Sequence, residues 1–324
     1  MLSNISNMFR RSSQVPVGLE KKQVPTFVRS NGENEEKKKK IVKVPVYGGR
    51  NFFVNENEAH EMDAYLKSLE KKKQLNPDFL RGRSVEPRMR EMLVDWLLSV
   101  CACSMQTSQE AWTLAVYLTD RAALYMEEVN SSNYQLVGVT CLYIALKYEE
   151  VVVPHINDMA YFGGRACTQE RILEMEKIVL QSVMFDMSFC YPCHFLRKFR
   201  TFLQLPTDDV KTVYKYASCF VDCALIAYHS SQWLPSDQAV GAYYLACYVL
   251  ELPFNDCLLT VSELNAEAVE KRAIGIASAV VRMCRTNKIK NVLQKYKSLD
   301  SSKIVESTES FLKDSKPSLS STIC

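Results

Sequence analysis

Glycine is scarce, with 10 in 324 residues, against roughly 7% in an average chain. Few glycines mean few left-handed turns and bulges, which weighs against a sheet-rich fold. No cysteine precedes Cys101, although the chain holds 12 in all. Cys141, Cys219 and Cys247 sit inside apolar stretches, as small hydrophobes in a reducing compartment do. No apolar segment follows Met1, so no signal peptide is expected. The longest near-apolar runs, Leu136–Leu146 and Ala239–Leu250, have 11 and 12 residues, well short of the ~20 of a membrane span. The expectation is an intracellular, soluble protein.

The chemistry of an enzyme is also missing. Gly48-Gly49 and Gly163-Gly164 are isolated pairs and form no phosphate-cradling loop. Neither a kinase catalytic loop nor an H-E-x-x-H occurs. His60, His155, His194 and His229 lie far apart in sequence, and none stands beside an evident nucleophile. Net charge is +3, of which residues 1–60 hold +5, leaving −2 for the rest. The remainder therefore lacks the basic excess of a nucleic-acid-binding domain.

What is present is helical periodicity between two polar ends. Residues 1–55 are polar, broken by Pro16, Pro25 and Pro45, and carry the run Lys37–Lys40, which reads as a nuclear-import signal or a solvated charge run. Residues 301–324 are serine-rich and read as a flexible tail. Between them, helices are expected at 57–73, from Pro87 through Cys101, and at 108–126, 133–148, 156–162 and 168–183. A break at 185–192 precedes a second series at 193–203, 208–228, 236–250, 261–283 and 288–296. Pro87 suits a first helical turn, and Thr168 an N-cap with Glu170 behind it. Met89, Met92, Leu93 and Trp96 recur at helical spacing on one stripe, and Val94, Leu97, Leu98 and Cys101 on a second. A helix apolar on two sides either packs on both or offers one to a partner. The two long apolar runs begin alike, Val137-Gly138 and Val240-Gly241. They suggest a duplication: two helical globules, each wrapped round one buried helix.

Cys190-Tyr191-Pro192-Cys193-His194 fits the C-x-x-C-H spacing of covalent haem attachment. It also lies at the break between the globules, where a structural linker accounts for it. No second cysteine pair follows at a zinc-site distance, so neither metal nor cofactor is expected.

The stretch Met89-Arg90-Glu91-Met92-Leu93-Val94-Asp95-Trp96-Leu97-Leu98 resembles the signature that opens the cyclin box. Leu114-Ala115-Val116, Asp120-Arg121, Gln135-Leu136-Val137-Gly138, Ala145-Leu146-Lys147-Tyr148-Glu149-Glu150, Met175-Glu176 and Phe185-Asp186 follow in order. Leu234-Pro235-Ser236 and Lys295-Tyr296-Lys297 are similar to the C-terminal box. The similarity spans about residues 56–300, and Pro192–Phe199 looks most like B-type mitotic cyclins of the third animal subclass.

The resemblance implies an all-α fold of two tandem five-helix cyclin boxes. A disordered tail would cover 1–55, an N-terminal helix plus first box 56–187, a second box 188–300, and a flexible tail 301–324. It implies a non-catalytic subunit that binds and activates a cyclin-dependent serine/threonine kinase at G2/M and helps select substrates, in nucleus and cytoplasm, without nucleic acid or membrane. Lys147 and Glu176 would grip the kinase, with Ile144, Tyr148, Glu149, Leu180, Phe185, Met187 and Tyr65 around them. On spacing alone that pair could equally be solvated or bridge each other. Met89, Met92, Leu93, Trp96 and Gln135 would dock short basic-hydrophobic substrate motifs, with core packing the rival for Leu93 and Trp96. Ser99 replaces an acid common in relatives. Arg90 and Asp120 would form an internal salt bridge. No R-x-x-L or K-E-N destruction signal occurs in the first 60 residues. The rival class is a paired-cyclin-fold transcription-factor scaffold.

Overall fold

The computed structural model describes residues 41–45, 51–164, 167–203, 205–286 and 291–315. The expected import run Lys37–Lys40, the rest of 1–40 and residues 316–324 lie outside them.

Two strands, β1 (Ile41–Pro45) and β2 (Asn51–Asn55), pair antiparallel with Lys43 opposite Phe53. They correct the expectation that all of 1–55 lacks structure. Ile41, Val42, Val44, Phe52, Phe53 and Val54 are the branched and aromatic types that favour a pleated surface. The hairpin leans on α1 (Glu56–Lys72) and α7 (Pro192–Arg200).

The first globule is α2 (Pro87–Ser99), α3 (Gln109–Tyr125), α4 (Tyr134–Glu149), α5 (Ile156–Gly163) and α6 (Gln169–Ser182). The second is α7, α8 (Thr207–Ile226), α9 (Pro235–Val249), α10 (Cys257–Ser262) and α11 (Ala266–Thr286), followed by α12 (Asn291–Lys295) and α13 (Ser301–Asp314). Local chemistry sets the ends. Proline opens α2, α7 and α9. The Ser108 and Thr168 hydroxyls accept the amides of Ala111 and Arg171 at the starts of α3 and α6. The helix expected at 261–283 is instead two, because Glu263 turns left-handed and ends α10. Between α2 and α3 runs a π-helical turn, Val100–Met105, closed by left-handed Gln106.

The two apolar runs are α4 and α9, each buried along most of its length. Their shared Val-Gly does one job with different neighbours. A Cβ on Gly138 would meet Leu93 of α2 at 2.8 Å, and one on Gly241 would meet Arg272 of α11 at 2.8 Å. In each case the missing side chain lets a second helix approach.

Helix α2 lies between the globules. Leu93 faces α4, while Val94, Leu97, Leu98 and Cys101 are buried and the helix as a whole packs on α8 and α12. The second apolar stripe is therefore core, not a partner surface.

The tail expected at 301–324 is folded over 301–314. Asp300 caps α13 by accepting the Lys303 amide at 3.1 Å. Ile304, Thr308 and Phe311 are buried against α9 and α11. That 0, 4, 7 spacing is an ordinary amphipathic stripe, masked in the sequence by the serines around it.

Candidate functional site

Lys147 stands in the last turn of α4, where the helix dipole favours a cation. Glu176 stands in the middle of α6, and the two side chains pair directly. The Lys147 ammonium also lies 4.5 Å from the centre of the Tyr143 ring. The pair is at the surface, Lys147 exposed and Glu176 half-buried. Tyr148 and Leu173 are exposed large apolar residues near it in sequence, Phe185 is exposed past the end of α6, and Leu180 and Met187 are half-buried. Tyr65 is exposed on α1. That helix is tied to the segment after α6 by Lys73, whose ammonium is 2.5 Å from Asp186. The Cys190 thiol at 3.7 Å from the Leu66 carbonyl adds a second tie.

Two expected contact residues belong elsewhere. Ile144 is only 4% exposed and is core; the α4 stripe it shares with Lys147 surfaces only at the helix end. Glu149 turns inward and accepts the Tyr191 hydroxyl at 2.6 Å, and burial raises its carboxyl above the usual range against that bond.

The expected docking patch is also divided. Met92 and Gln135 are exposed and Met89 and Trp96 half-buried, but Leu93 is only 8% exposed and packs on Gly138. Leu93 therefore joins α2 to α4 and presents little to a ligand.

Arg90 is fully buried and meets Asp120 through two bonds of 2.7 and 2.8 Å. Its third donor reaches the carbonyl of Ile226, the last residue of α8, at 2.7 Å. Burial alone would lower the guanidinium; the Asp120 carboxylate outweighs it and holds it raised.

Further polar pins between the globules were missed in the sequence. Glu91 takes two bonds from Arg282, 2.6 and 2.7 Å, and the Tyr228 amide at 3.0 Å. Burial opposes its charge, but these donors win and lower its carboxyl below the usual value. Asp95 accepts from the Asn291 amide and side chain. Asp222 gathers Gln109, Lys295 and Tyr296 within 2.9 Å. Glu70 of α1 accepts the Ser236 amide and hydroxyl at the start of α9. The available signal was Glu91 and Asp95 at i and i+4 beside an apolar stripe, where a charge needs a partner.

The C-x-x-C-H stretch resolves into this same seam. Cys193 and His194 bring ligand-type atoms within 4.8 Å of each other and of Glu110. Arg197, however, occupies that carboxylate at 2.5 Å, so a cation already balances the cluster. Burial first, then Arg197, lowers the His194 imidazole to about 3. Its Nδ1 accepts the Tyr191 amide at 3.4 Å, while Cys190 turns away to Leu66. The two cysteines share no site, and the stretch caps α7. No described helix is long and apolar enough to cross a membrane.

Comparison with known proteins agrees with this architecture. The profile for the cyclin N-terminal domain matches residues 61–188 and that for the cyclin C-terminal domain residues 190–310. The chain is 36% identical to G2/mitotic-specific cyclin-B2 of Oryzias javanicus over 59% of this chain and 49% of that protein. It is 36% identical to human G2/mitotic-specific cyclin-B2 over 57% of this chain and 45% of that one. It thus spans about half the length of the curated relatives it matches. A viral cyclin from herpesvirus saimiri superposes with TM-score 0.53 at 19% identity, covering 76% of this chain and 97% of that one. A chain of the yeast RNA Pol II CTD kinase CTDK-1 complex gives 0.51 at 14%, covering 72% and 79%. With two tandem five-helix units, a buried helix at the centre of each, and both domain profiles matched in order, the chain belongs to the cyclin family.

Proposed function

We propose that this chain is the non-catalytic regulatory subunit of a cyclin-dependent serine/threonine kinase of the mitotic type, acting at G2/M. The observation that carries it is the Lys147–Glu176 pair, set at the surface on two helices that also expose Tyr148 and Leu173 and leave Leu180 half-buried. An exposed ion pair contributes little to the chain's own fold, about 0–1 kcal/mol. Covered by a partner, the same two charges can be desolvated and hydrogen-bonded to a helix of that partner. The names of the B2 relatives support the mitotic assignment.

The mechanism is a population shift. A kinase is active only when its regulatory helix brings a glutamate to the strand lysine and its activation loop stands open. A subunit that binds that arrangement better than others draws the kinase into it and supplies no chemistry of its own. Met89, Met92, Trp96 and Gln135 present a separate surface for basic-hydrophobic substrate motifs. Action in nucleus and cytoplasm is part of the same proposal.

Mixing the full chain with a purified mitotic-type kinase should switch on histone phosphorylation, and Lys147→Ala/Glu176→Ala should abolish it with the helical content unchanged. Full activity in the double variant would overturn the interface.

A further inference from the structure

Helix α6 ends in a conformation its residues do not favour. The Phe185 amide reaches back to the Leu180 carbonyl at 2.9 Å and the Met184 amide to the Gln181 carbonyl at 3.0 Å. These are the paired bonds of a Schellman end, which places the residue after the cap in the left-handed region, usually as glycine. Here that residue is Met184, at φ 53°, and Phe185 follows at φ 54°. Met184 is 83% exposed and Phe185 65%. Two bulky side chains thus stand in a disfavoured backbone region and in water at once.

Helix α9 separates the two costs. It ends with the same bonds, Leu252 to Cys247 at 2.9 Å and Glu251 to Tyr248 at 3.1 Å. Its left-handed residue, at φ 55°, is Glu251, charged and exposed. The motif therefore tolerates a residue other than glycine in this chain. What sets α6 apart is that its left-handed side chain is apolar and has almost no contact with the rest of the molecule. Asparagine there would relieve the backbone and remove the exposed apolar surface together. Nothing in the fold of this chain gains from the methionine.

Its position gives it a use. It stands just past the C-terminal end of α6, the helix whose Glu176 makes the Lys147–Glu176 pair, next to an exposed Phe185. The segment beyond is fixed by Asp186, which pairs with Lys73 and accepts the Ser188 amide at 3.2 Å. We infer that Met184 is a partner-selecting contact: with Phe185 it forms a strained apolar knob that seats in an apolar socket of the kinase. This rests on the kinase-subunit reading. Burying one such side chain corresponds to roughly tenfold in affinity.

The test compares full-length Met184→Asn, Glu251→Asn and Lys147→Ala by thermal melting and by affinity for a purified mitotic-type cyclin-dependent kinase. Both asparagine variants should raise Tm by about 2 °C. Met184→Asn alone of these two should weaken binding, by roughly tenfold. Gain of stability with loss of binding in one variant is a result no purely structural residue gives. Unchanged binding by Met184→Asn, with Lys147→Ala weakened, would overturn the knob and leave the kinase reading standing. A lower Tm for Met184→Asn would overturn it too, by showing that the methionine packs on its own chain. Absence of kinase binding by the unaltered chain would remove the kinase reading itself.

Discussion

The two globules share a plan and differ in what covers the end of the central helix. Helix α9 finishes under α13: the Tyr248 ring lies 4.8 Å from that of Phe311, and its hydroxyl donates to Asp314 at 2.6 Å. Helix α4 finishes at Lys147 and Tyr148, with no described helix laid over Tyr148, and Val151–Val153 beyond it are exposed as well. Among the described residues, a duplicated core therefore presents one end that the chain covers itself and one left open. The covered end supplies stability and the open one a surface, because apolar area already buried internally has nothing further to gain from a partner.

The polar seam between the globules holds that contrast in place, so it should show the largest effect. Arg90→Ala strands the buried Asp120 and the Ile226 carbonyl; the expected loss is about 3–5 kcal/mol of stability, read from urea unfolding. A loss under about 1 kcal/mol would mean the globules do not depend on this pin. Next, Phe311→Ala opens a cavity under α13 and should cost about 3 kcal/mol, with kinase affinity of the folded fraction unchanged; a matching loss of affinity would show that the covered end also contributes to binding. Lys147→Ala should do the reverse. Stability should stay within about 0.5 kcal/mol, while binding falls by about 2 kcal/mol, roughly thirtyfold, measured by calorimetry.

The smallest effect is on acid stability. The Glu91 carboxyl lies below its unfolded value of 4.5, so its contribution is complete above that pH and is lost as the pH falls through its lower folded value. Unfolding followed from pH 6 to pH 3 should therefore be less steep in Glu91→Gln than in the unaltered chain. Parallel curves would mean that the Arg282 pair is no stronger than a solvated one.

The residues legible in sequence were those whose role is local. Pro87 at a first turn, Thr168 as a cap, and the runs that became α4 and α9 need only their neighbours to act. The same holds for the stripe on α2, though not for which side it faced. Leu93 and Ile144 read as surface contacts because helical spacing fixes a face and not the depth at which that face emerges. Helix α13 was lost among serines although Ile304, Thr308 and Phe311 keep perfect register. The strands at 41–55 were lost among prolines and charges in the same way.

Composition and periodicity by themselves determined that the chain is helical and built twice round a buried helix. Those properties depend on residues within one or two turns of each other. Only the tertiary structure decided that Arg90 reaches from Asp120 to the second globule, that Glu91 meets Arg282, that Lys147 meets Glu176 at the surface, and that Met184 stands in solvent. These are meetings between residues 29 to 191 positions apart along the chain or, for Met184, the lack of one. A buried charge signals that it needs a partner, but which partner arrives depends on how whole helices pack, since their shapes and not their spacing set the approach.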